Sequence, residues 1–280
     1  MTTNTSHYVN LLGREVHIQA WGRPGAPLVV MWHGFARNGW DFTALGEALA
    51  PHYYAVAPDT IGRGLSQWSA DPDQEYTVPF YARQAAALLE HLGATQARWV
   101  GTSMGGLIGM VAAAYMLKDR ISHLVLNDVG PEIAPEAVQR ILSYAGNPPA
   151  FDSIGELENY FRTIYAPFGI ASAEGWRRLV ETSYRRLPDG RVTPHYDPQI
   201  AAVLGKQAAG SNGDAWPIYD QITAPTLLLR GAVSDLLLPA TAKAMTERGP
   251  KARLVEMPGI GHAPALDSPE QIALIAQFLR

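Results

Sequence analysis

Residues 101–105 read Gly-Thr-Ser-Met-Gly. A strand-like run, Ala97–Thr102, leads into the serine, and an apolar helical run, Met104–Leu117, leads away from it. A serine at so sharp a strand-to-helix turn is forced into a strained backbone conformation, and glycine two residues to either side leaves room for it. Its hydroxyl then stands clear of the sheet at the positive end of a helix. That placement serves nucleophilic attack, and Ser103 is the expected nucleophile. Gly106, Gly109, Ala112 and Ala113 keep one face of the following helix small enough to pack close to the sheet.

A serine hydroxyl is a weak nucleophile until a base takes its proton and an acid orients that base. Chains with this turn carry the acid and then the base downstream of the serine. Of the eight histidines, His123, His195 and His262 follow Ser103. His123 lies inside an apolar strand, and His195 lies in a stretch broken by Pro and Gly. His262 ends Pro258-Gly259-Ile260-Gly261-His262, a glycine-rich loop between the strand Arg253–Met257 and the last helix. In a parallel sheet that loop falls at the C-terminal edge of the strands, where catalytic loops gather. His262 is the expected base.

Two aspartates compete for the third role. Asp235 follows the strand Thr226–Arg230 by a short loop, and that loop is long enough to carry a carboxylate toward the histidine. Asp128, in Asn127-Asp128-Val129-Gly130-Pro131, ends the strand after the nucleophile helix and suits the anchoring of a loop. Asp235 is the expected acid and Asp128 the alternative. A tetrahedral intermediate also needs two N–H donors. The backbone of Met104, next after the nucleophile, is one. Phe35, in His33-Gly34-Phe35 after the strand Leu28–Trp32, is the expected second. His33 is read as holding that loop, and Asp59, beside a glycine-rich turn, as capping backbone N–H groups. Arg37 suits either a substrate carboxylate or a solvated surface.

The elements that must position these residues alternate. Tyr8–Leu12 and Glu15–Ala20 flank Gly13-Arg14 as a hairpin. Leu28–Trp32 is an apolar run expected to be buried on both faces, and Tyr53–Ala57 is the next strand. Then come a helix over Tyr76–Leu92, the strand–serine–helix unit and the strand Ile121–Asp128. The pattern resumes with the strand Thr226–Arg230, a helix over Pro239–Arg248, the strand Arg253–Met257 and a last helix opened by the cap Ser268-Pro269-Glu270-Gln271. Strand–helix alternation implies crossovers and a mostly parallel sheet covered by helices. Residues 131–220 break the alternation with helical fragments and no convincing strand. Three Phe, two Trp and six Tyr fall there, as expected of a cap over a pocket or of a subdomain with its own core.

Composition narrows the function classes. The 280 residues carry 22 Lys and Arg against 26 Asp and Glu, so no basic excess exists to neutralise nucleic-acid phosphates. With no cysteine, disulfides, thiolate nucleophiles and cysteine-held metals are all excluded. The first residues, MTTNTSHY, lack a basic start followed by an apolar run, and no apolar stretch reaches membrane-spanning length. A soluble cytoplasmic protein without nucleic-acid or membrane partners is expected. Charges in 131–220 are mixed, 8 basic against 11 acidic, so no anion pocket stands out there.

In order and spacing, HGF, PDTIGRGLS, GTSMGG, RGAVSD and PGIGHAP resemble the α/β-hydrolase superfamily over almost the whole chain, most closely its esterase-like branch with a helical cap. The resemblance implies an eight-stranded, mostly parallel sheet, a core of residues 1–130 and 221–280, and a cap of 131–220 inserted after the sixth strand. It also implies no cofactor. Ser103 in place of an aspartate speaks against haloalkane dehalogenases and epoxide hydrolases. His262-Ala263-Pro264 lacks the Trp usual after the histidine of carbon–carbon-cleaving relatives. The expected activity is serine-dependent hydrolysis of small soluble carboxylic esters. The alternatives are a lactonase or carbon–carbon hydrolase with the same residues, or a ligand-binding receptor on this scaffold.

Overall fold

The computed structural model describes residues 4–170, 172–210 and 214–280. Met1–Thr3, where the reading of the N-terminus begins, lie outside the described residues. Eight strands form one sheet: β1 (Thr5–Leu11), β2 (Arg14–Trp21), β3 (Leu28–Trp32), β4 (Tyr54–Pro58), β5 (Ala97–Thr102) and β6 (Ile121–Asn127), then, beyond a two-stranded hairpin of β7 (Tyr184–Arg186) and β8 (Val192–Pro194), β9 (Thr226–Gly231) and β10 (Arg253–Met257). Their spatial order is β1-β2-β4-β3-β5-β6-β9-β10. β1 and β2 pair antiparallel around Gly13, β2 joins β4 antiparallel, and every later neighbour is parallel. All parallel strands therefore deliver their following loops to one edge.

The period of two along a strand explains why the middle of the sheet carries unbroken apolar runs. In β3, Leu28, Val30 and Trp32 pack on one face with the helices Val78–His91 and Met104–Val111. Val29 and Met31 face the opposite layer with Trp21, Phe42, Leu45 and Ile275. Each fully buried Val, Leu or Met side chain contributes about 1.5–3 kcal/mol. Trp32 and Trp99 stack across neighbouring strands at 5.4 Å and 13°. Thr77 caps the helix that follows it, its hydroxyl accepting from Phe80 N–H, which trims the expected Tyr76 start. Ser268 caps the last helix as expected, accepting from Gln271 N–H. The helix after Ser103 is α-helical to Val111, then widens into one π turn over Ala112–Met116.

Between β6 and β9 the chain leaves the sheet for a mostly helical insertion, and two expectations change there. The hairpin β7–β8 is a real pair of strands, closed around Pro188-Asp189-Gly190, which the sequence suggests merely as a helix breaker. The aromatic residues pack largely on one another: Phe161, Tyr165 and Trp176 form a core with Leu157, Leu179, Val180 and Val192, flanked by Phe151, Tyr160 and Phe168. The insertion's wall nearest Ser103 has no aromatic among the described residues, being built of Ile133, Val138, Ile141, Ile200 and Leu204 beside Gln207. Among the described residues no helix is long and apolar enough to cross a membrane.

Candidate active site

β5 ends at Thr102 and the next helix starts at Met104, so Ser103 alone must turn the chain. It does so at φ 52° and ψ −116°, conformations that side-chain-bearing residues rarely adopt. Steric room decides the neighbours. A Cβ at Gly101 would lie 2.3 Å from the Gly105 carbonyl oxygen, and one at Gly105 would lie 1.9 Å from that of Trp32. Two further bonds fix the turn: Trp99 Nε1–H donates to the Gly105 carbonyl at 3.0 Å, and Ser103 N–H donates to that of Asn127 at 2.9 Å.

The loop after β10 folds back across the end of β9 to meet this turn. Asn127 Nδ2–H donates to the Pro264 carbonyl at 2.9 Å, and a Cβ on Gly231 would lie 2.2 Å from the carbonyl of Gly261. His262 is thereby placed with Nε2 2.9 Å from Ser103 Oγ, accepting a hydrogen bond from the hydroxyl, and with Nδ1–H donating to Asp128 Oδ2 at 2.7 Å. Asp128 is fully buried, at φ 55°. Its Oδ1 accepts from Gly231 N–H at 2.9 Å and its Oδ2 also accepts from Ser234 Oγ–H at 2.6 Å. Three donors thus satisfy both oxygens of this buried carboxylate.

The expectation for Asp235 is therefore corrected. Its carboxylate binds Arg140 of the insertion at 2.6 and 2.9 Å and makes no hydrogen bond to His262. Partial burial works against its charge, but Arg140 outweighs that and holds the carboxyl below the ordinary range. The loop after β9 serves the site differently, lending the Gly231 N–H and Ser234 hydroxyl to an acid from β6. Residue spacing does not reveal this exchange, because it depends on how far the histidine loop bends back over the sheet edge.

The loop after β3 closes the other side. A Cβ on Gly34 would touch Ser103 Cβ at 3.7 Å. Met104 N–H opens its helix and so has no carbonyl behind it, and Phe35 N–H has no hydrogen-bond acceptor among the described residues. Both residues border the same cleft as Ser103. His33 holds the loop from within: Nδ1–H donates to the Gly34 carbonyl at 2.7 Å and Nε2 accepts from Thr60 N–H at 2.8 Å. Asp59 accepts from the N–H groups of Gly39 and Leu65. A second Ser–His–Asp series, Ser6–His17–Asp59, has contacts of 2.7 and 2.8 Å, but Ser6 sits on the extended edge strand β1, with no helix behind it. Arg37 is neither solvated nor free for substrate. It is buried, paired with Asp41 at 2.5 Å, bonded to Ser183 Oγ and laid over Tyr165. His123 packs edge-on against Phe278, far from this role.

Burial pushes the His33 imidazole down from 6.5 to about 4, against the opposing pull of Asp59 and its bond to Gly34. Unfolded, the ring takes its proton near 6.5. Between about 6.5 and 4 the unfolded chain thus binds more protons than the folded one, and stability is lost as pH falls. From pH 7 to 5 this amounts to about 2 kcal/mol. In urea titrations His33→Asn should show a pH 7-to-5 loss smaller than wild type by about that amount. Equal losses in both proteins would remove His33 as the source.

Above Ser103 lies an open cleft. Its walls are Phe35, Val78 and Leu107 from the sheet side and Val138, Ile141 and Ile200 among those from the insertion. Arg63 reaches it from the turn after β4, a residue that sequence reading passes over as part of a glycine-rich loop. Among the described residues no group of three or more His, Cys, Asp or Glu side chains is placed to hold a metal ion.

This architecture recurs in known proteins. Over 266 residues the chain is 41% identical to a 3-hydroxybutyrate-oligomer hydrolase of Cupriavidus necator, covering 92% of this chain and 90% of that one. It is 29% identical to a 2-(acetamidomethylene)succinate hydrolase of Mesorhizobium japonicum, over 87% and 84% of the two chains. A crystal structure of an alpha/beta hydrolase from Novosphingobium aromaticivorans superposes with a TM-score of 0.88 at 35% identity, over 100% of this chain and 99% of that one. The family model described as "Alpha/beta hydrolase family" matches residues 29–273, and the chain belongs to that family.

Proposed function

We propose that the protein is a serine-dependent carboxylic ester hydrolase for small soluble esters, working through an acyl-enzyme on Ser103. The observation that carries this is the continuous series from Ser103 Oγ through both His262 nitrogens to the buried Asp128, at 2.9 and 2.7 Å, beneath an apolar cleft. His262 takes the Ser103 proton as Oγ attacks the ester carbonyl. The N–H groups of Phe35 and Met104 receive the developing oxyanion. His262 then gives its proton to the leaving alcohol, and a water deprotonated the same way attacks the acyl carbonyl and frees the acid and Ser103. Asp128 keeps the imidazole in the tautomer that faces Nε2 to the serine. Residues 131–220 act as the cap over a core of 1–130 and 221–280.

The relative named for 3-hydroxybutyrate oligomers supports a short hydroxy-acid ester as the substrate class, since such oligomers are joined by ester bonds. The test is a panel of p-nitrophenyl acetate, p-nitrophenyl butyrate, a 3-hydroxybutyrate dimer and a lactone, with a fluorophosphonate as covalent probe. Turnover of the short esters is expected, blocked in step with one phosphonyl adduct on the peptide holding Ser103. No turnover on any ester, or inhibition with the adduct elsewhere, would overturn the reading.

A further inference from the structure

Among the described residues that line the cleft with Ser103, Arg63 is the one charged side chain, and it is 1% exposed. Its bonds are unusual for a buried cation. Nε–H donates to the Phe35 carbonyl at 2.9 Å, and Nη1 donates to the Ile61 carbonyl at 2.9 Å and to Tyr81 Oη at 2.7 Å. Nη2 reaches Met104 Sδ at 3.5 Å, and a thioether is a weak acceptor. No carboxylate among the described residues pairs with this guanidinium, whereas Arg37, Arg140 and Arg230 pair with Asp41, Asp235 and Glu256. The rings of Phe35, Tyr76 and Tyr81 surround it at 5.3 to 5.6 Å. Asp197 stands one phenol away, accepting from Tyr76 Oη at 2.7 Å.

A charge buried without a counter-ion is costly, and a ligand that supplies the missing anion recovers that cost. Arg63 touches both residues whose N–H groups flank Ser103: Phe35 through its carbonyl and Met104 through its sulfur. An anion on Nη2 would therefore lie within a few bonds of an ester carbonyl held at Ser103. Resting on the ester-hydrolase reading, we propose that Arg63 is a specificity residue that binds a free carboxylate on the substrate. The preferred substrates are then short anionic esters of hydroxy acids, cleaved near their carboxylate end, rather than neutral esters of equal size. Apart from Gln207 and the tyrosines Tyr76 and Tyr81, the remaining lining beyond Ser103 is apolar and suits the short alkyl stretch between the two groups.

The experiment compares 3-acetoxybutyrate with 3-acetoxybutyramide, equal in shape and different in charge. Wild type should favour the carboxylate by at least about 10-fold in kcat/KM, mainly through KM. Arg63→Gln should cost the carboxylate about 10²-fold more than the amide, and Arg63→Lys should keep part of the preference. Because Arg63 also anchors the Phe35 carbonyl, both variants are expected to lose some rate on either substrate, so the ratio is the readout. Should the variants fold poorly, wild-type inhibition decides: butyrate should bind at least about 10-fold tighter than butyramide. Equal use of the two substrates by wild type, equal binding of the two inhibitors, or proportional losses in Arg63→Gln would leave Arg63 a structural anchor. Failure of wild type on both substrates and on p-nitrophenyl butyrate would instead remove the ester-hydrolase reading beneath it.

Discussion

Asp128→Asn is expected to lower kcat about 10⁴-fold while the protein still folds. Both carboxylate oxygens of Asp128 accept: Oδ1 from Gly231 N–H, Oδ2 from Ser234 Oγ–H and His262 Nδ1–H. An amide has one acceptor oxygen. If that oxygen faces Gly231, the NH₂ group faces His262 and favours the tautomer with the proton on Nε2, pointed at Ser103 where a base is needed. If it faces His262 instead, two donors confront each other at Gly231. Either way the imidazolium formed during attack loses its buried counter-charge. Asp235→Asn should change kcat less than about 10-fold, since its half-exposed pair with Arg140 is of the kind worth about 1 kcal/mol or less. Steady-state kinetics on p-nitrophenyl butyrate with a thermal melt of each variant check the contrast. Comparable losses in the two variants, or a larger one in Asp235→Asn, would move the acid to the other loop.

Ser103→Ala and His262→Ala should each lower kcat by at least about 10³-fold, and the double variant should be little worse than either single one. The reason is that the two act as one unit: the hydroxyl needs the base at 2.9 Å, and the base acts on water in this route after the hydroxyl has formed the acyl-enzyme. Folding should be affected little by Ser103→Ala, because Oγ is bonded to the imidazole and fills no core position. Multiplicative losses in the double variant, or near-normal turnover in Ser103→Ala, would show a route to product that avoids the acyl-enzyme.

The nucleophile turn was legible because three local facts coincide at residues 101–105: an apolar strand, glycines where no Cβ fits, and an apolar helix. The base was legible because one downstream histidine sits in a glycine-rich loop at the right sheet edge. The acid was not. Asp128 and Asp235 both follow parallel strands, and what separates them is the path of the Gly259–Pro264 loop, drawn toward β6 by Asn127. That is a long-range bond between residues 137 positions apart. Arg63 escaped notice for a related reason. Its role depends on having no acid partner, and a sequence shows which residues exist rather than which remain unpaired. The hairpin β7–β8 was missed because three-residue strands carry too little alternation to read.

The nucleophile turn and the cleft above it differ in their freedom to vary. At Gly101 and Gly105 any side chain collides with backbone, so those positions are closed to drift. Val138, Ile141, Ile200 and Leu204 belong to the insertion, on helices that contribute no strand to the sheet. A lineage can therefore exchange the insertion's share of the cleft lining by altering one continuous stretch of chain while the reacting atoms are inherited unchanged. Recombination that swaps the stretch between β6 and β9 among relatives would exchange that aliphatic wall as a single heritable cassette, while Arg63, on the turn after β4, stays with the core.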